Sequence, residues 1–262
     1  MTIARCLSPV LMLLASAAPA AELRDFCADR PGKGTPPCIL DIGHLQVETG
    51  IVDASLTRGH GQDNDSFSFA QTLLRFGVGR TTEVQLGWTP YLLSHDHGGG
   101  TTRGVGDVSV AVRQSLLRPD GGGVSVAVQP FVTVPTATNG FGAGDWTGGV
   151  LLPFAADLPG GFSLSATPEV DVLPNASRGG SHAAYVAVVG LAHKLGDVTA
   201  GVELWANHDA DPDMASTQAS FDVDLAWTPA SAKNLQFDAG ANLGLTRATP
   251  DVELYVGIAA RF

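Results

Sequence analysis

Long hydrophobic runs are what this sequence most clearly lacks. Beyond residue 17 no stretch approaches the roughly 18 consecutive apolar residues that a membrane-crossing helix needs. A helical membrane protein is therefore excluded. Charge is scarce as well: 16% of the residues are charged, against roughly 25% in an average chain. Base is scarcer than acid, with 15 Lys and Arg against 26 Asp and Glu and a net charge of −11. So little base leaves no electrostatic footprint for phosphate backbones, and nucleic acid is excluded as a partner. There are only 3 cysteines, Cys6, Cys27 and Cys38. No GxSxG, HExxH, P-loop or CxxC motif occurs, and no acidic loop has EF-hand spacing. From motifs alone, no catalytic residue, metal or cofactor is expected.

What the chain does have is glycine, 32 residues of it, and alternation. The closing stretch is the clearest case. Val252, Leu254, Val256, Ile258, Ala260 and Phe262 share one face, and Asp251, Glu253, Tyr255, Gly257, Ala259 and Arg261 share the other. A period of two means a β-strand. This one is longer than the usual 5–6 or so residues of a globular strand, and it ends on an aromatic. Such an ending resembles the C-terminal strand that outer-membrane barrels present to the barrel assembly machinery, with Tyr255 and Phe262 as its signal residues.

The same pattern recurs from residue 44 onward, in stretches near 44–57, 66–78, 81–93, 105–117, 124–135, 145–157, 162–173, 182–195, 197–207, 216–228, 234–245 and 251–262. Strands of about 9–11 residues cross a bilayer at a tilt, and an even strand number is the rule for bacterial barrels. Tight turns at 79–80, 118–123, 158–161 and 196–197 alternate with longer links at 58–65, 94–104, 136–144, 174–180 and 208–215. Short turns on one side and long loops on the other are the barrel habit. The predicted fold is all-β, a transmembrane antiparallel up-and-down barrel of about 12 strands. Two stretches depart from the pattern. Phe67 and Phe69 are out of phase with Leu74, Phe76 and Val78, which predicts a bulge, and 182–195 is apolar on both faces.

Alternation does not say which face points inward. A secreted soluble β-domain that binds a ligand would bury the apolar face, whereas a barrel turns it to lipid and its polar face to the lumen. Strand length, even count and loop parity favour the barrel. Its lumen would then collect Glu83, Asp107, Arg113, Glu169, Asp171, Glu203, Asp222, Asp224, Asp238 and Glu253, together with Gln85, Gln129 and Gln236. Rings of acid favour cations, so these residues are the candidate selectivity set. Trp88, Tyr185 and Trp227 would face outward as part of an aromatic girdle, with His44 and His193 near the membrane interface.

The start of the chain reads as a secretory signal over residues 1–20. Arg5 precedes an apolar core from Leu7 to Ala17, and Ala18-Pro19-Ala20 suits cleavage. Export leads to an oxidising compartment, where Cys27 and Cys38 would pair. Residues 21–43 then form a periplasmic segment with a disulfide loop, packed at the barrel mouth, and 44–262 form the barrel.

In that layout the chain resembles the outer-membrane transporters grouped with the meta-pathway of phenol degradation. The resemblance rests on Cys27-Ala28-Asp29-Arg30-Pro31-Gly32-Lys33-Gly34-Thr35-Pro36-Pro37-Cys38, on Gly43-His44-Leu45-Gln46-Val47-Glu48, and on Asn234 to Phe262 with Thr249-Pro250-Asp251. It implies a bacterial outer-membrane channel passing small solutes, aromatic compounds among them, with lipid and the assembly machinery as partners. An enzymatic alternative remains in the predicted loops. His95, Asp96 and His97 lie in one, His208, Asp209, Asp211 and Asp213 in another, and Asp63 and Asp65 in a third. Asp and His at an outer rim can polarise water for hydrolysis, although acidic loops are usually solvated faces.

Overall fold

A computed structural model describes residues 23–58, 63–177 and 179–262. The expected export signal and its cleavage site lie outside them. The strands are β1 Leu45–Thr57, β2 Asn64–Gly77, β3 Thr82–Trp88, β4 Tyr91–Asp96, β5 Gly100–Gly104, β6 Val108–Leu117, β7 Val124–Val134, β8 Thr147–Leu151, β9 Phe154–Leu158, β10 Phe162–Pro174, β11 Ser181–Leu195, β12 Val198–Asp209, β13 Ser216–Trp227, β14 Leu235–Gly244 and β15 Val252–Arg261. All pair antiparallel. Strand β1 pairs with both β2 and β15, which closes the sheet.

Three staves of the wall are each built from two segments. β3 and β4 pair with successive parts of β2, and β8 and β9 both lie between β7 and β10. Pro90 and Pro153 fall at these two breaks, where a residue without an N–H cannot continue the ladder. β5 and β6 form the third composite stave. The wall is therefore a closed twelve-stranded antiparallel barrel. The stretch 94–104, expected as a loop, is instead a hairpin of β4 and β5 with His95 opposite Thr101 and Asp96 opposite Gly100. Its Thr101-Thr102-Arg103 run supports strand as readily as loop, so the wall extends further on that side.

Burial is inverted relative to a soluble protein. Along β13 the apolar Phe221, Val223, Leu225 and Trp227 are exposed, while Ser220 and Asp222 are 0% and 1% exposed. Leu204, at 57% exposure, neighbours the inward Glu203 on β12. Leaving apolar area in water costs roughly 25 cal/mol per Å², so a surface of this kind needs lipid around it. The soluble reading is thereby excluded.

The phase break in β2 lies at Ala70, a non-glycine residue with φ of 54°. Opposite it, β1 has a bulge between Gly50 and Val52 relative to β15. Gln71 and Leu73 line the lumen on one side of the break, and Ser66 and Ser68 on the other. One extra residue returns Phe69 to the outer face beside the exposed Tyr91, at 5.7 Å between rings. The two-sided apolar character of β11 also has a cause. Its inward Ala184 and Val188 are buried, and Val188 abuts Gly34 of the N-terminal segment.

Candidate functional site

The lumen is the candidate site, and it is occupied by the protein's own N-terminal segment. At the mouth beside the chain's end, the amide of Phe262 donates to Leu45 O at 2.7 Å, and Leu45 N donates to Phe262 O at 3.1 Å. There Arg24 Nη1 donates to Ile39 O at 2.9 Å, and Arg261 Nη1 donates to Arg24 O at 2.8 Å. From Arg24 the segment rises into the barrel, turns through Arg30–Thr35 and returns through Cys38 to Asp41. A Cys27–Cys38 disulfide closes this loop.

Its feet are held by two fully buried arginines on the wall, Arg75 of β2 and Arg113 of β6. Arg75 Nε donates to Glu83 Oε1 at 2.9 Å, while Nη1 reaches Glu48 at 3.1 Å and Cys27 O at 2.8 Å. Arg113 donates from Nε to Gln129 Oε1 at 2.6 Å and from Nη1 to Asp29 Oδ1 at 2.9 Å. Asp29 also bridges to Arg75 at 2.9 Å. Burial by itself would raise the Asp29 carboxyl, but Arg113 and Arg75 outweigh it and hold the group below the usual carboxylate range. The carboxylates are also filled by backbone: Glu48 accepts from Asp29 N and Arg30 N, and Glu83 accepts from Leu40 N at 2.9 Å. A buried charge is tolerable only when hydrogen-bonded in this way.

The tip of the loop sits on β10 to β15. Lys33 N donates to Glu203 Oε2 at 2.7 Å and Gly34 N to Oε1 at 3.2 Å. A Cβ at Gly32 or Gly34 would come within 2.7 Å of that carboxylate and oblige the Glu203 side chain to shift. Thr35 exchanges hydrogen bonds with Thr167. Arg30 pairs with Asp238 at 2.8 Å and stands 5.8 Å from the Tyr255 ring centroid, against Gly257, where a Cβ would displace it. Lys33 Nζ lies 3.6 Å from Asp222 and 3.4 Å from Glu253.

The ten residues read as a selectivity set are all on the lumen side, but they do different things. Glu83, Arg113, Glu203, Asp222, Asp238 and Glu253 contact the segment. Asp107 accepts from Ala137 N at 2.7 Å and Ala143 N at 3.3 Å, so it ties down the loop after β7. Glu169, Asp171 and Asp224 have no cationic partner among the described residues. Sequence reasoning missed Gln46, Glu48, Arg75 and Asp53 on the wall. Gln46 and Glu48 alternate visibly with Leu45 and Val47 and were readable. Asp29, Arg30 and Lys33 carry no periodic signal.

The loop tip divides the free space. On one side, a cavity of about 420 Å³ is lined by Arg30, Lys33, Asp53, Gln71, Glu253 and Tyr255 among others. It shares Asp53 and Glu253 as walls with one of about 280 Å³ that includes Ser66, Leu93 and Phe141, and Asp29 and Leu73 with one of about 270 Å³ with Phe131 and Glu169. On the other side lies a cavity of about 210 Å³ with Ser165, Gly190, Glu203 and Asp224. Asp29, Arg30, Pro31 and Gly32 border both sides.

Two of the three acid–histidine clusters of the rim meet, with the His95 and His97 rings 4.7 Å apart and His97 against Asp65. His97 Nε2 is 3.0 Å from Asp65, which also holds Arg58, His95 bonds Thr101, and His208 bonds Thr217 at 2.9 Å. Asp209 sits 2.7 Å from His182. Among the described residues no group of three or more potential ligands is arranged for a metal. His44 Nδ1 bonds Phe262 O, His193 Nε2 bonds Gly160 O, and Trp88, Tyr185 and Trp227 are exposed on the outer face.

The family described as "Putative MetA-pathway of phenol degradation" matches residues 28–262. The chain belongs to that family. No curated protein sequence matches it. Among solved structures, an outer membrane channel from Pseudomonas putida F1 superposes with a TM-score of 0.65 at 14% identity, covering 89% of this chain and 99% of the other. The β domain of the Bordetella autotransporter BrkA gives 0.52 at 13% identity over 85% and 100%. The NanC porin gives 0.52 at 9% over 82% and 98%. At such identities the likeness is one of fold: these are outer-membrane barrels, and so is this chain.

Proposed function

We propose that this protein is an outer-membrane channel through which small organic solutes diffuse, aromatic compounds among them, and that it is not an enzyme. One observation carries the reading: free space lies on both sides of the loop tip, divided by four residues of that loop. The larger cavity is within the range of about 300–1,000 Å³ typical of small-molecule sites. Membership in a family linked to phenol degradation and the fold of a bacterial outer membrane channel point the same way. Polar and charged lining suits compact solutes that carry at least one polar group.

Residues 1–20 act as the export signal in this reading, residues 21–43 as a plug entered from the periplasm, and 44–262 as the barrel. Lipid surrounds the wall, and the assembly machinery reads Tyr255 and Phe262. Tyr255 faces the lumen and Phe262 is 71% exposed, so Phe262 is the more accessible of the two. Deleting it should lower the amount of protein in the membrane, and unchanged levels would remove that assignment. Cation preference would come from Glu169, Asp171 and Asp224, the acids left without base. The test is a planar-bilayer reversal potential under a salt gradient, with swelling of liposomes in phenol-sized neutral solutes. Weak cation selectivity and solute entry are expected; a barrel impermeable to both would overturn the channel. The hydrolase alternative rests on the His97–Asp65 pair alone, since His95 and His208 bond threonines.

A further inference from the structure

The side chain of Lys33 ends in a cage. Its ammonium lies 4.9 Å from the centroid of the Trp205 ring, 3.1 Å from Ser220 Oγ, 3.6 Å from Asp222 and 3.4 Å from Glu253. An aromatic face, a hydroxyl and two carboxylates around one point form a receptor for an ammonium ion. The cage is built into the wall. Trp205 belongs to β12, Ser220 and Asp222 to β13, and Glu253 to β15, where Asn242 holds Glu253 Oε2 at 2.7 Å. Only the cation comes from the plug.

Two further observations indicate that Lys33 fills the cage incompletely. The Asp222 side chain is 1% exposed, yet among the described residues no well-aligned hydrogen bond reaches either of its carboxylate oxygens, the Lys33 ammonium standing 3.6 Å away. A buried carboxylate left in that condition costs free energy that a closer donor would recover. The Lys33 side chain, meanwhile, is 25% exposed and borders the cavity of about 420 Å³. Asp53 and Glu253 stand between that cavity and the one lined by Ser66 and Phe141. Glu253 of the cage lines that cavity as Lys33 does, so the cage borders free space on that side.

We infer that the cage of Trp205, Ser220, Asp222 and Glu253 is a binding site for small organic ammonium ions, and that Lys33 occupies it as an internal competitor. The inference deepens the channel reading and rests on it for its physiological meaning. Binding displaces the Lys33 side chain and leaves the tip held by backbone, through Glu203 and Thr167. An arylalkyl amine suits the site best, since it brings an ammonium for Asp222 and a ring for the adjoining cavity of about 420 Å³. A tethered competitor acts at a high effective concentration, so removing it should strengthen binding of a free ammonium.

The probe is benzylammonium at neutral pH, with benzyl alcohol as its uncharged counterpart. Binding is measured by calorimetry on the purified, detergent-folded full barrel, which separates the site from transport. Lys33→Ala should bind benzylammonium about tenfold more tightly than wild type, a change equivalent to about 1.4 kcal/mol. Adding Asp222→Asn should abolish the gain. Trp205→Leu, with Lys33 retained, should weaken binding severalfold through loss of the cation–ring contact. Benzyl alcohol should respond to none of these changes. Equal binding of the two probes by Lys33→Ala, in protein whose gel mobility still shifts on boiling, would overturn the site. Binding without any effect of benzylammonium on conductance would leave the site standing and count against the channel reading instead.

Discussion

At its feet the N-terminal segment meets the wall through charges that are buried and bonded several times over; at its tip it meets the wall through charges that border open cavities. Glu48, Glu83, Asp29, Arg75 and Arg113 each have at least two hydrogen-bond partners. Around Lys33, by contrast, Asp222 has only the ammonium at 3.6 Å and no well-aligned hydrogen bond among the described residues, and that ammonium is partly exposed. The chemistry is the same in both places, acid against base at the bottom of a polar lumen. What differs is completeness, and with it the cost of disruption. The feet are a clamp, because removing one member strands others in a dry site. The tip is the part that a solute can compete for.

The largest effect should come from breaking the clamp. Arg75→Leu leaves Glu48 and Glu83 buried without their main partner, which typically costs about 3–5 kcal/mol. The temperature at which the barrel loses its compact gel mobility should fall clearly, and residues 24–43 should become protease-sensitive. A variant with unchanged heat stability would mean that the clamp is no firmer than the tip.

Next in size is the disulfide. Replacing Cys27 and Cys38 by serine should leave the wall intact, because its stability comes from a closed ladder of hydrogen bonds. Protease cleavage within 24–43 should become faster without a change in the heat-modifiable mobility. Collapse of the barrel would show that the loop is part of the wall's own stability.

Glu203→Gln probes the tip directly. A hydrogen bond to a charged group is worth about 1.5–3 kcal/mol, and the amide offers Lys33 N and Gly34 N one uncharged oxygen where the carboxylate offers two charged ones, with its NH2 in place of the other. Hydrogen exchange at residues 33 and 34 should accelerate while that at Asp29 and Arg30 stays slow. Uniform acceleration along the whole loop would erase the distinction between feet and tip.

The smallest effect expected near neutrality is that of pH on the feet. The Asp29 carboxyl is held below its ordinary range, against burial, by Arg113 and Arg75. A group whose value is lowered on folding contributes its full stability above the unfolded value and loses it as pH falls through the folded one. Protease sensitivity of the segment should therefore stay flat from neutral pH down to the ordinary carboxylate range and rise only below it. Release in mildly acidic buffer would show that Asp29 is not the group that holds the feet.

Much of the wall was legible in advance, because strand periodicity is a local property. The spacing of Val84, Leu86 and Trp88, or of Phe221, Val223, Leu225 and Trp227, specifies a strand and its two faces without reference to the rest of the chain. The broken phase between Phe69 and Leu74 even predicted an irregularity, which the structure places at Ala70. The composite staves were less legible: a hairpin over 91–104 and a loop there have similar polar sequences, and only pairing in three dimensions separates them.

The amino-acid sequence by itself determined most of the strands, the twelve-stave wall and, through strand length and loop parity, which face meets lipid. Tertiary structure alone decided the split staves, the hairpin over 91–104 and what the lumen acids do. Arg30 reaches Asp238 across 208 residues and Lys33 reaches Glu203 across 170. A period of two carries no information over such distances. Closure of the sheet brings these groups together, and burial in a narrow polar space then obliges each acid to find a donor, whether an arginine, a lysine or a backbone amide of the segment threaded through the barrel.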